Sequence, residues 1–237
     1  MRGIYKPIVL LLCMILRAAE RHMRDFGWLR TFWLFSFDDY YDPGNVGFGA
    51  LRVFNDDVIA PGKGFPMHPH ADMEIVTLVL SGELSHEDST GGKGVIRAGE
   101  VQHMSAGTGI VHAERNAGKE PCHLYQLWFL PMVKGLRPSY GQTAVSLHED
   151  ALTLLASSSG GLRMQSDARL HRGRLRKGKR LVHNAAKRGT FIYLSAGMLE
   201  VNRDVLSPGD QARLTDARVE LLAREDSDFV LVDVRLS

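Results

Sequence analysis

The stretch Glu74–Arg115, EIVTLVLSGELSHEDSTGGKGVIRAGEVQHMSAGTGIVHAER, is a chain of short apolar or alternating runs cut by turn residues. Glu74–Leu80, Leu84–His86, Lys93–Ile96, Val101–Met104 and Ile110–Arg115 are strand candidates. Ser81-Gly82, Ser89–Gly92, Ala98-Gly99 and Ala106-Gly107-Thr108-Gly109 separate them. Upstream, Ala50–Phe54 continues the pattern ahead of the Ala60–Gly64 turn. Downstream, His123–Phe129 does the same. No run between Gly47 and Pro131 carries a helical period. Many short strands at near-even spacing predict an all-β barrel or sandwich.

The rest of the chain divides in two. Pro131–Gly160 is irregular, broken by Arg137–Gly141, and His148–Leu155 is expected to form a short helix in a link between halves. A second β pattern follows at Phe191–Ser195, Leu199–Val201, Gln211–Leu214, Val219–Ala223 and Phe229–Val234. Val205–Asp210 resembles Ile96–Glu100 in its order of apolar residue, spacer, small residue, glycine and acid. This points to an internal duplication.

Composition narrows the class. With 237 residues and 44% hydrophobic side chains, the chain can bury one large core or two small ones. A net charge of +2 gives no footing for nucleic acid or membrane binding. Cys13 and Cys122 make no disulfide framework, so a reducing compartment, the cytoplasm, is expected. Residues 1–13 stand apart, because Arg2 and Lys6 precede the apolar run Ile8–Leu16 in the outline of a short signal peptide. No small-x-small cleavage site follows, and Met14 is the rival start. These two charges account for the whole net charge.

Two pairs carry chemistry. His68-Pro69-His70 sets two imidazoles on one side of a strand, and His112-Ala113-Glu114 sets an imidazole and a carboxylate likewise. On neighbouring strands of a barrel the pairs would converge. Three imidazoles and one carboxylate leave room for further ligands on a six-coordinate ion, as iron(II) chemistry requires. Either pair alone is a weak signal.

Gly62–Glu74, with five residues between Gly62 and His-x-His and a glutamate four positions after it, looks like the first cupin motif. Gln102–Glu114 looks like the second motif in the form found in the pirin family. Phe35-Ser36-Phe37, Tyr41-Asp42-Pro43, Leu51-Arg52-Val53, Asn55-Asp56-Asp57 and His123–Trp128 extend the resemblance, which runs from about Met14 to the C-terminus. It implies an all-β fold of two tandem cupin barrels: 14–134 a metal-binding cupin, 135–237 a linker and a metal-free cupin, and 1–13 an extension outside the fold.

The resemblance further implies one divalent metal, iron(II) first, with Mn, Co, Ni, Cu or Zn as alternatives, held by His68, His70, His112 and Glu114. It implies ring opening of quercetin or a related flavonol with dioxygen, Glu114 acting as ligand and as base. The same four ligands would equally serve an iron-binding, redox-responsive regulator with a protein partner. The chain departs from many relatives at Trp33-Leu34, where they carry His-Thr, and at Pro66-Met67.

Blander readings cover the remaining candidates. Glu74 is expected to support the site or to be a polar strand residue, and His103 to be a surface or core histidine. His22, His86, His123, His148, His171 and His183 have no partner at ligand spacing and are read as structural or solvated. Phe35, Phe37, Phe65, Met67 and Met104 either line an aromatic pocket or fill the barrel core. His171–Arg180, with its dense lysine and arginine, is expected to be a solvated turn.

Overall fold

A computed structural model of the chain describes residues 13–185, 187–215 and 218–236. The first half contains β1 (Cys13–Leu16), β2 (His22–Asp25), β3 (Leu29–Trp33), β4 (Leu51–Ile59), β5 (Gly64–His70), β6 (Glu74–Ser81), β7 (Glu83–Asp88), β8 (Lys93–Arg97), β9 (Glu100–Ser105), β10 (Ile110–Arg115) and β11 (Cys122–Phe129). The second contains β12 (Ser139–Ala144), β13 (Ala151–Ser157), β14 (Leu162–Arg163), β15 (Ala168–Leu175), β16 (Arg180–Asn184), β17 (Arg188–Ala196), β18 (Leu199–Val201), β19 (Asp204–Leu206), β20 (Gln211–Thr215), β21 (Arg218–Ala223) and β22 (Ser227–Arg235). One 3-10 turn, Ala18–Glu20, is the sole helical element among the described residues.

The two halves repeat one plan. The N-terminal cupin faces a seven-stranded sheet, β12-β9-β6-β11-β4-β3-β2, with a four-stranded one, β5-β10-β7-β8. The C-terminal cupin faces β1-β20-β17-β22-β15-β13-β14 with β16-β21-β18-β19. The turns that suggested duplication are equivalent in detail. Glu100 accepts a hydrogen bond from the Arg97 N–H at 2.6 Å, and Asp210 accepts one from the Ser207 N–H at 3.0 Å. Gly99 and Gly209 take φ of 85° and 88°, a left-handed conformation that glycine adopts at no steric cost.

Each large sheet borrows its edge strand across the link. β1, at the start of the chain, pairs with β20 of the C-terminal sheet, Cys13 lying opposite Leu214. β12, in the segment after Pro131, pairs with β9 of the N-terminal sheet. The two cysteines are free and sit in different sheets, Cys13 on β1 and Cys122 on β11. Residues 1–12 lie outside the described residues.

The two large sheets pack face to face. Phe54, Val76, Leu78, Leu127 and Phe129 from one meet Leu170, Phe191, Val230 and Val232 from the other in a single apolar layer. This explains why β6 reads EIVTLV without alternation: one face lines a barrel, the other faces the second cupin, and six successive residues are buried.

Two expectations are corrected. His148–Leu155 is not helical. Residues 151–157 form β13, because pairing with β15 and burial of Thr153, Leu155 and Ala156 outweigh the helix preference of Leu and Ala. His171–Arg180 is a solvated turn only in its second half, where residues 176–180 are exposed. Its first five residues complete β15, flanked on both sides by β13 and β22. The arginines there have carboxylate partners: Arg172 bonds Asp228 at 2.8 and 2.9 Å, Arg174 bonds it at 3.1 Å, and Arg176 pairs with Asp150.

Candidate metal centre

β5 and β10 are antiparallel neighbours, and their register sets His68 opposite His112. The side-chain period of two then brings His70 and Glu114 to the same face. A β-bulge falls between His112 and Glu114, and across from it Gly64 lies against the Glu114 and Arg115 backbone with no room for a Cβ. The ring centroids of His68, His70 and His112 stand 4.4–4.9 Å apart. One nitrogen from each falls within 4.8 Å of the others. The structure thus gathers these three histidines, with Glu114 beside them in the barrel.

Hydrogen bonding leaves particular atoms free. His68 Nδ1 is engaged by the Pro66 carbonyl at 2.7 Å. One Glu114 oxygen accepts a hydrogen bond from Gln126 Nε2 at 2.7 Å. His70 Nε2, His112 Nε2 and Glu114 Oε1 are buried and have no partner. Among the buried polar atoms without a partner, these three sit together on candidate ligands of one cluster. Burial, reinforced by neighbouring histidines, lowers the pKa of His70 to about 4 and of His112 to about 3, so both rings are neutral. Burial pushes the Glu114 carboxyl upward, opposed chiefly by the Gln126 hydrogen bond. Neutral imidazoles with free lone pairs beside a buried carboxylate fit a divalent transition metal.

A cavity of about 420 Å³ opens onto this cluster. Trp28, Trp33, Phe37, Phe65 and Trp128 form its apolar wall, while His68, His70, Glu114, Asn55, Asp57 and Gln126 supply polar groups. A larger, more open hollow of about 750 Å³ lies elsewhere on β5, β7, β8 and β10, lined by Gly62, Lys63, Ser85 and Lys93. It touches none of the four candidate ligands. Of the aromatic and methionine candidates, Phe37 and Phe65 line the cavity. Phe35 and Met104 belong to the core, and Met67 is exposed. Trp33 is a cavity wall.

Several residues went unread in the sequence. Alternation along β4 turns Asn55 and Asp57 inward, toward the barrel, and Phe54 and Asp56 outward, toward the second cupin. Period-two counting back from Ile59 would have found the two inward polar residues. Gln126 and Trp128 face inward on β11 by the same rule.

His86 is the correction of most consequence. It is buried, its Nδ1 lies 3.5 Å from His112 Nδ1, and with His112 and Glu114 it forms a second group of convergent donor atoms. Its sequence position gave no hint, since it reaches His112 across the β7–β10 pairing. Glu74 and His103 bond each other at 2.7 Å on the other side of the sheet, where Glu74 also accepts from Ser105 Oγ and the Gln165 N–H.

The C-terminal barrel has the same frame with a different filling. Strand pairing makes Val219, Leu221 and Val201 the counterparts of His112, Glu114 and His86. All three are buried in that barrel's apolar cluster. Both groups of metal-capable side chains found among the described residues lie in the N-terminal cupin.

Fold and site together define a bicupin with a histidine-and-carboxylate metal-binding site in its first barrel. Comparison with known proteins gives the same class. The pirin family model matches residues 16–129, and that of the quercetinase C-terminal cupin domain matches residues 154–234. The chain belongs to the pirin family. It is 41% identical to a quercetin 2,3-dioxygenase of Escherichia coli K12, over 92% of this chain and 96% of the other. It is 42% identical to a pirin-like protein of Caulobacter vibrioides, over 88% and 94%. The crystal structure of bacterial pirin YhhW from Escherichia coli in complex with nickel(II) superposes with a TM-score of 0.91 at 40% identity, covering 95% of this chain and all of that one.

Proposed function

We propose that the protein is a metal-dependent dioxygenase that opens the heterocycle of quercetin or a related flavonol. The carrying observation is the joining of two features in one barrel. A cluster of unpartnered imidazole nitrogens and a carboxylate oxygen forms the polar end of a cavity whose wall is Trp28, Trp33, Phe37, Phe65 and Trp128. A planar, polyhydroxylated aromatic matches that combination of apolar faces and convergent polar groups. The names of the Escherichia coli relatives support the same reaction.

In this reading His68, His70, His112 and Glu114 hold one divalent ion, iron(II) being the resident metal that three imidazoles and one carboxylate suit. The bound metal supplies Lewis acidity toward an enol-bearing substrate and a route for electrons to dioxygen. The protein's residues do the rest. The aromatic wall orients the flavonol ring system and excludes water from it. Glu114 takes the proton of the substrate's 3-hydroxyl, for which its burial and raised pKa are suited. Gln126 fixes the carboxylate's rotation through its hydrogen bond. The cytoplasm is our reading of where it acts, supported by two free thiols.

Iron-loaded protein mixed with quercetin in air should consume the flavonol absorbance. Glu114→Gln protein that still carries its metal should not. Undiminished turnover in that variant would overturn the base role, and no turnover by fully loaded wild type would overturn the assigned reaction.

A further inference from the structure

A chain of polar contacts leads away from the proposed metal centre. Asp88 lies at its far end, as the last residue of β7. Asp88 Oδ1 accepts hydrogen bonds from the Thr90 N–H at 2.8 Å, the Thr90 hydroxyl at 2.6 Å and the Gly92 N–H at 3.0 Å. Burial opposes ionisation of this carboxyl, yet the bonds from Thr90, His86 and Gly92 outweigh it and hold its pKa at about 2. Asp88 Oδ2 is left for His86 Nε2, 3.0 Å away. A carboxylate offers no proton, so His86 Nε2 carries the hydrogen and donates it.

That fixes the other side of the ring. With Nε2 engaged as the donor to Asp88, His86 has Nδ1 left to accept. The atom facing it, at 3.5 Å, is His112 Nδ1. A contact between two lone pairs is repulsive, so His112 Nδ1 carries the proton. His112 Nε2 is then unprotonated, and it is the buried nitrogen with no partner. The His86 ring is covered on one face. Tyr140 of β12 stacks on it with centroids 4.6 Å apart and an interplanar angle of 25°.

We propose that Asp88 and His86 are positioning residues that lock His112 in the tautomer with a free Nε2 lone pair, and so set the metal affinity of the site. The inference rests on His112 being a ligand, as proposed above, but not on the substrate. Carboxylate–histidine pairs that orient ligating imidazoles have this effect in metalloproteins generally. Here the relay is one imidazole longer. It is also particular to this barrel, since the counterpart of His86 in the second cupin is the apolar Val201.

The test uses zinc(II) as probe and the full-length protein. Dissociation constants come from competition with a chromophoric chelator, and the tautomer of His112 from two-bond proton–nitrogen correlation spectra of the metal-free protein. Four proteins are compared: wild type, His86→Leu, His86→Gln and, as the ligand control, His112→Ala. Glutamine accepts through its carbonyl and donates through its amide, so it can bridge Asp88 and His112, whereas leucine can do neither.

The relay requires zinc affinity to fall about 10–100-fold in His86→Leu and to stay near the wild-type value in His86→Gln. It also requires a single Nδ1–H tautomer at His112 in wild type and a mixture in His86→Leu. Equal losses in the two His86 variants would show that packing alone matters and overturn the relay. So would wild-type affinity in His86→Leu, or loss of one of two bound zinc ions, which would make His86 a ligand itself. A wild type no tighter than His112→Ala would overturn the ligand assignment and the relay together.

Discussion

Gln126 Nε2 donates to one oxygen of Glu114 at 2.7 Å, while the other oxygen is buried with no partner. Gln126 is itself held, since its amide oxygen accepts from Trp128 Nε1 at 3.0 Å. A cavity-wall tryptophan thereby sets the rotation of a candidate ligand. Gln126→Leu should weaken metal binding about 10-fold or more while the protein stays folded. Chelator competition with nickel(II) reads this directly. Unchanged affinity would mean that the metal alone holds Glu114 in place.

Gly64 makes a second, steric demand. A Cβ there would overlap the carbonyl oxygen of Glu114 and crowd the Arg115 Cα, both backbone atoms. Gly64→Ala should therefore push β5 away from β10 at the bulge and carry Glu114 off the histidines. The expected result is metal affinity reduced at least as much as in Gln126→Leu, with a melting point lowered by a strain of about 1–3 kcal/mol. Wild-type affinity in Gly64→Ala would show that the strands separate freely.

Asp57 couples stability to pH. It is buried on the inner face of β4, and desolvation, aided by the charges of Asp56 and Glu114, raises its pKa from 3.8 to about 7 in spite of Thr31. Because the folded pKa exceeds the unfolded one, its contribution is complete below about pH 4 and lost as pH rises through about 7. That loss amounts to at most ~4 kcal/mol. In metal-free protein, Asp57→Asn should gain in melting temperature relative to wild type between pH 5 and pH 8. Parallel melting curves across that range would rule out a neutral buried Asp57.

The contact between the two cupins has its own polar element. Tyr193 Oη donates to Asp56 Oδ2 at 2.6 Å, Arg21 donates to Tyr193 Oη at 2.6 Å, and His123 Nε2 lies 2.7 Å from Asp56 Oδ1. Tyr193→Phe leaves Asp56 short of a donor in a largely buried place. It should cost about 1–3 kcal/mol of stability, read as a lower midpoint in urea unfolding. Metal affinity should be unaltered, because Asp56 faces away from the barrel interior.

Much of the N-terminal barrel was legible from local pattern. Strand candidates from Glu74 to Phe129 agree with the observed strands to within a few residues, because most of the short apolar runs end at a glycine turn. His148–Leu155 misled because Leu and Ala do not oppose helix, and nothing local reveals that β15 waits as a partner. The basic run His171–Arg180 misled for a similar reason. Its carboxylate partners Asp228 and Asp150 are remote in sequence, so its charges look unpaired when read alone.

The sequence by itself determined that two His-containing pairs share a period of two on short strands, and that nothing comparable follows Pro131. Spacing along one strand suffices for that, because alternate side chains must face the same way. Only the tertiary structure decided how the pairs meet: the β5–β10 register, the bulge permitted by Gly64, and the arrival of Gln126 and His86 from β11 and β7. Contacts between strands depend on register and on what closes the barrel, and neither is written in the spacing of residues along one strand.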